Sequence, residues 1–193
     1  HASNLMVMGN SSDNDITSGE GDDTVMAGDG DDTIYTGSGN DNVEAGNGND
    51  LIIGGDGVGD DSYDGGSGID TIKYTSATDD IVVDLIKGIA GSKNGGDKAG
   101  IGADILKGIE NIIGGYFNDF LVGDNSDNTL DAEKGDDVIH GGAGNDVIDG
   151  GEGNDTAVYN GNPWDYTISK DNSSGWLSIT DKTILRDGED KVQ

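Results

Sequence analysis

The chain has 193 residues, 36 of them Gly against a single Pro, with 32% hydrophobic residues and a formal net charge of -29. That composition excludes an ordinary helix-packed domain and lies near that of disordered chains, because little apolar surface exists to offset the entropy of ordering. It also disfavours nucleic acid and anionic membrane as partners, which need a basic footprint, and no apolar run nears the roughly 20 residues of a spanning helix.

Residues 1–73 form the first predicted block. Up to residue 72 they hold sixteen Asp or Glu and no Lys or Arg, and they follow a nine-residue period. From Ser18 the units read SGEGDDTVM, AGDGDDTIY, TGSGNDNVE and AGNGNDLII, then GGDGVGDDSYD with two extra residues, and GGSGIDTIK. Gly recurs at positions two and four, Asp at six, and a large apolar residue at eight: Val7, Ile16, Val25, Ile34, Val43, Ile52, Tyr63 and Ile72. Nine residues are too few for a helix and a turn, but they suit a tight loop followed by a three-residue strand whose position-eight side chain points inward. Two units complete one turn of a flattened coil, so repeat i lies over repeat i+2 at about 4.8 Å. The expected fold is an all-β, right-handed parallel β-roll, a two-sheet solenoid with an inserted non-repeat segment and a short C-terminal capping strand pair.

Residues 74–111 break the period and predict an inserted linker or flap, a strand pair with a Gly- and Lys-rich loop, "KGIAGSKNGGDKAG". Residues 112–158 predict a second block, with Leu121, Leu130, Ile139, Ile148 and Ala157 at position eight. Residues 159–193 predict two short strands covering the open end of the roll with Trp164, Tyr166, Ile168, Leu177 and Ile179. Packing is also the expected role of Trp176, with sugar stacking as its rival. The opening "HASN" and the closing "LRDGEDKVQ" suggest a segment of a longer, monomeric module whose native termini lie elsewhere.

Stacking is expected to bring Asp23 against Asp41, Asp32 against Asp50, Asp41 against Asp61, and Asp50 against Asp70. At about 5 Å and an effective dielectric near 20, each pair repels by roughly 3 kcal/mol. A divalent cation reverses that sign. Ca²⁺ takes six to eight oxygens at about 2.3–2.6 Å, so oxygens on opposite sides of it lie at about the interstrand spacing. Position-six carboxylates and glycine-loop carbonyls can supply an all-oxygen shell, whereas Mg²⁺ resists dehydration and softer metals prefer His or Cys.

The nonapeptide GGxGxDxUx resembles the RTX calcium-binding repeat, and connecting phrases such as "TDDIVVDL" and "GADILKGIENIIGGYFNDFLVGD" look like those of RTX segments. The resemblance implies a parallel β-roll that is disordered in the calcium-poor cytosol and folds once a type I secretion system has exported it. It implies as ligands the position-six residues Asp23, Asp32, Asp41, Asp50, Asp61, Asp70, Asp119, Asp137, Asp146 and Asp155. With them go the loop glycines Gly19, Gly21, Gly28, Gly30, Gly37, Gly39, Gly46, Gly48, Gly55, Gly57, Gly142, Gly144, Gly151 and Gly153. Asn128 replaces Asp at position six, and some of the repeat glycines are missing within residues 114–135.

Rival motifs are weak. The GxG pairs lack a flanking strand and helix, no stretch carries an EF-hand ligand pattern, and no nucleophile is paired with a base. His140, at outward position nine, reads as a solvated turn residue. No enzyme activity is expected, and with no Cys there is no disulfide or thiolate site. The expected function is a calcium-folded structural and secretion-linked segment of a larger extracellular protein. The alternative is calcium-dependent polysaccharide binding, aided by Lys87, Lys93 and Lys98. An ice-binding face is not favoured, because the position-seven row Thr24, Thr33, Asn42, Leu51, Ser62 and Thr71 is irregular.

Overall fold

One buried aliphatic side chain every nine residues is enough to organise two sheets, provided that every turn stacks in register. The computed structural model describes residues 3–54, 57–163, 166–170, 176–181 and 187–193. It is an all-β roll of about eight turns, with two ten-stranded sheets facing one another across a single core. One sheet runs, in spatial order, through Met6–Asn10, Thr24–Asp29, Asn42–Asn47, Ser62–Ser67, Ala103–Lys107, Ile89–Ser92, Ile81–Asp84, Phe120–Val122, Val138–His140 and Thr156–Ala157. The other runs through Asp15–Glu20, Thr33–Ser38, Leu51–Ile53, Thr71–Lys73, Asn111–Ile113, Thr129–Asp131, Val147–Asp149 and Glu189–Val192, and ends in the antiparallel strands Leu177–Asp181 and Tyr166–Lys170.

Register follows the period. Val7 pairs with Val25, Val25 with Val43 and Val43 with Tyr63, while on the facing sheet Ile16 pairs with Ile34, Ile34 with Ile52 and Ile52 with Ile72. These position-eight side chains are buried from Ile16 onward, with Val7 partly so, and form the core. Strands of the first block run longer than the three residues expected, as in Thr24–Asp29, because pairing continues through the loop glycines: Gly28 pairs with Gly46 and Asp29 with Asn47. In the second block Val138–His140 and Val147–Asp149 keep three residues.

The segment 74–111 lies within the sheet. Ile81–Asp84 pairs parallel with Phe120–Val122, Ile89–Ser92 folds back antiparallel onto it, and Ala103–Lys107 returns to pair parallel with Ser62–Ser67. Tyr74, Ala77, Ala99 and Ile101 of this segment are buried. At the other extremity Tyr166 and Ile179 are buried as expected, but Ile168 is exposed, since its strand is outermost and packs on one side only. Trp164 lies outside the described residues, as do His1 and Gly55. Among the described residues no helix is long and apolar enough to cross a membrane.

Candidate metal centre

The loops joining the sheets stack into two columns, one along each edge of the roll. Position six shares the inward face with position eight, because side chains two apart in a strand lie on one side. Its Asp is therefore drawn inside the loop. Asp23, Asp32, Asp41, Asp50, Asp61, Asp70, Asp119, Asp137 and Asp146 are all buried, and Asp155 is half-buried.

The carboxylates do not meet face to face, as the sequence suggested. Each turns one oxygen onto the backbone of the turn before it. The Asp23 N–H donates to Asp41 Oδ1 at 2.7 Å, Asp32 N–H to Asp50 at 2.8 Å, Asp41 N–H to Asp61 at 2.7 Å and Asp50 N–H to Asp70 at 2.8 Å. In the second block Asp119 N–H donates to Asp137 at 2.6 Å and Asp137 N–H to Asp155 at 3.1 Å. These N–H donors offset part of the expected repulsion.

The second oxygen is the informative one. Asp23, Asp32, Asp41, Asp50, Asp70, Asp137 and Asp146 each carry a buried Oδ2 with no hydrogen-bond partner. A buried carboxylate oxygen without a partner is costly, and a row of them calls for positive charge. Burial pushes Asp41, Asp70 and Asp137 upward to about 6 and Asp146 to about 7, with neighbouring carboxylates adding to the shift. Asp50 and Asp61 are raised in the same direction, also by burial.

The loop glycines named above, Gly55 aside, all have φ between +79° and +153°. At Gly46, with φ +122°, a Cβ would lie 1.9 Å from the Gly28 carbonyl oxygen, so only glycine lets the loop carbonyls of successive turns stack this closely. Among the described residues no three His, Cys, Asp or Glu side chains converge on one point. A cation held here must therefore draw on backbone carbonyls as well as carboxylates, which suits a hard, oxygen-seeking ion. The orphaned Oδ2 atoms and the glycine-lined carbonyl stacks fit Ca²⁺.

Three carboxylates occupy position-six places that the period does not reveal. Asp61 N–H donates to Asp104 Oδ1 at 3.0 Å, Asp70 N–H to Glu110 Oε2 at 2.8 Å and Asp146 N–H to Asp190 Oδ1 at 2.9 Å. Their sequence signal is an acid two residues before an aliphatic of the core: Asp104 before buried Leu106, Glu110 before buried Ile112, Asp190 before partly buried Val192. The closing "DGEDKV" is thus a further repeat unit stacked on residues 141–149, with Gly188 seated against the Gly144 carbonyl.

Some of these places are satisfied without a cation. Asp61 Oδ2 accepts from the Tyr63 hydroxyl at 2.7 Å, Asp104 Oδ2 from the Tyr74 hydroxyl at 2.7 Å, and Asp119 Oδ2 from the Gly115 N–H at 2.7 Å. Asn128 accepts the Asp124 N–H through Oδ1 and donates through Nδ2 to the Glu110 carbonyl, forming a neutral rung. His140 departs from the solvated reading. It is half-buried and its Nε2 pairs with Asn160 Nδ2 at 2.8 Å, because residue 160 folds back over the strand.

Comparison with curated proteins finds no match. The family model for the RTX calcium-binding nonapeptide repeat matches in four copies, over residues 8–43, 35–72, 106–137 and 122–157. The period, the stacked glycine loops, the buried acids and this match over more than half its length agree: the chain belongs to the RTX calcium-binding repeat family.

Proposed function

We infer that the chain is a structural module whose folding is coupled to calcium, a segment of a larger secreted protein with no chemistry of its own. The observation that carries this reading is the row of seven buried, unpartnered Oδ2 atoms on Asp23, Asp32, Asp41, Asp50, Asp70, Asp137 and Asp146. Bound between stacked loops, Ca²⁺ supplies positive charge and accepts six to eight oxygens. The carboxylates would provide Oδ2 while Oδ1 holds the preceding turn in register, and the glycine carbonyls at positions two and four would provide the remaining oxygens.

The same acids explain why folding waits for the ion. Without it, buried carboxylates must either hold protons or remain charged without a partner, and each choice opposes the roll at neutral pH. Extracellular modules bind calcium at about 10⁻⁴–10⁻³ M, which suits export in an unfolded state followed by folding outside the cell. Lys87 and Lys93 are engaged with Asp84 and the Asn118 carbonyl, so they lend no support to a polysaccharide site.

Far-ultraviolet circular dichroism tests the reading. Strand signal is expected in millimolar calcium and largely absent in excess chelator, with magnesium a poor substitute. Full strand content in chelator would overturn it.

A further inference from the structure

The first edge of the roll carries Asp23, Asp41, Asp61 and Asp104 in succession, each accepting the backbone N–H of the turn before. Asp23 and Asp41 leave Oδ2 unpartnered, whereas at Asp61 and Asp104 both carboxylate oxygens are used. The two donors are placed by departures from the repeat. Tyr63 stands at position eight, where an aliphatic side chain is too short to reach the carboxylate two residues earlier. Tyr74 stands at position one, where the preceding loops of this edge have Ser18, Thr36 and Gly54.

Both tyrosines are fully buried, at 1% and 0% exposure. The Tyr74 ring lies across Gly54, where a Cβ would come within 2.4 Å of a ring carbon, so the aromatic ring fills the loop interior itself. Thr36 Oγ1 lies 3.4 Å from the Tyr63 hydroxyl and extends the network by one more group.

We propose that Asp61 and Asp104 take no cation, and that the hydroxyls of Tyr63 and Tyr74 replace calcium there, forming a metal-free joint between two calcium-filled arms. This rests on the calcium reading above and narrows it: a phenol O–H aimed at each Oδ2 supplies the positive end of a dipole where the rungs with an unpartnered Oδ2 need an ion. The joint falls where the antiparallel hairpin enters the sheet. There the eighteen-residue stacking of loops is interrupted, and Asp61 is paired with a carboxylate 43 residues away.

Counting bound calcium on the full chain by native mass spectrometry tests this. Asp→Asn keeps a side-chain oxygen that can accept the backbone N–H of the turn before, so the ladder bond is preserved while the charge is removed. Asp61→Asn and Asp104→Asn are expected to retain the full complement of ions, while Asp32→Asn and Asp50→Asn each lose at least one. Loss of an ion from Asp61→Asn or Asp104→Asn overturns the proposal. If none of the four variants loses an ion, the calcium role of Oδ2 fails and the proposal falls with it, a result distinct from the first. For a variant too unstable to spray, the rise of its melting midpoint with calcium concentration gives the same answer, since that slope reports ions taken up on folding. Asp61→Asn and Asp104→Asn should keep the wild-type slope, and Asp32→Asn should flatten it; a flattened slope for Asp61→Asn or Asp104→Asn also overturns the proposal.

Discussion

The two edges of the roll are built from the same repeat and end up chemically different. Along the second edge, position-six groups follow one another through Asp32, Asp50, Asp70, Glu110, Asn128, Asp146 and Asp190, with no break in the stack. Along the first edge the hairpin separates Asp104 from Asp119, and on the near side of the break two tyrosines quench two carboxylates. The difference shows that a repeat tolerates an insertion where its buried charges can be answered from within the protein. Along the second edge Asp32, Asp50, Asp70 and Asp146 keep an unpartnered Oδ2.

Acid should act on both edges at once, and has the largest expected effect. Burial raises the folded carboxyls of Asp41, Asp70, Asp119, Asp137 and Asp190 to about 6, Asp146 to about 7 and Asp104 to about 8, from about 3.9 in an unfolded chain. Folded values above unfolded ones mean that the native state holds more protons. Their contribution is therefore complete below about pH 4 and is lost as pH rises through 6 to 8. In chelator, strand content by circular dichroism should be regained as pH falls from 8 to 5, with Asp104 on the first edge the last to surrender its proton as pH rises. A flat or inverted profile contradicts the burial of these groups.

Tyr74→Phe separates the edges more locally. It leaves Asp104 Oδ2 buried and unpartnered, at a cost of about 1–3 kcal/mol. The loss of melting midpoint should be the same in low and in saturating calcium, and a loss repaired by added calcium would mean that an ion can enter the joint. Smallest is Glu133→Gly on the first edge. Glu133 occupies position two with φ +66°, a left-handed conformation for a residue with a Cβ. Glycine there should raise stability by about 1 kcal/mol in a denaturant titration, and a neutral result would mean that the loop bears no strain.

Much of this was legible in the sequence. Position eight named the core from Ile16 to Ile148, and positions two and four named glycines that the loops require, because a period of nine leaves only one way to alternate strand and turn. The joint was not legible. Asp104 and Glu110 lie 43 and 40 residues after the residues they support, and Tyr74 lies 30 before its carboxylate, so counting along the chain cannot pair them. Asp61 was legible as a rung but not as a satisfied one, since Tyr63 at position eight scans as one more apolar residue. His140 misled for a related reason: position nine faces outward in a regular turn, but Asn160 belongs to the part of the chain where turns cease to be regular.

The hairpin Tyr166–Lys170 and Leu177–Asp181 gives the roll a polarity. Leu177–Asp181 lies antiparallel against Glu189–Val192 and Tyr166–Lys170 antiparallel against Leu177–Asp181, so on that sheet the parallel stacking of turns ends there. At the opposite extremity Met6–Asn10 and Asp15–Glu20 each have a sheet neighbour on one side only, with Met6 and Met8 exposed on the outer face. Sheet edges of this kind accept another strand readily. The two extremities of this sheet are therefore unlike: one is closed by antiparallel strands, and the other presents a parallel strand in the register of the acid-lined columns behind it.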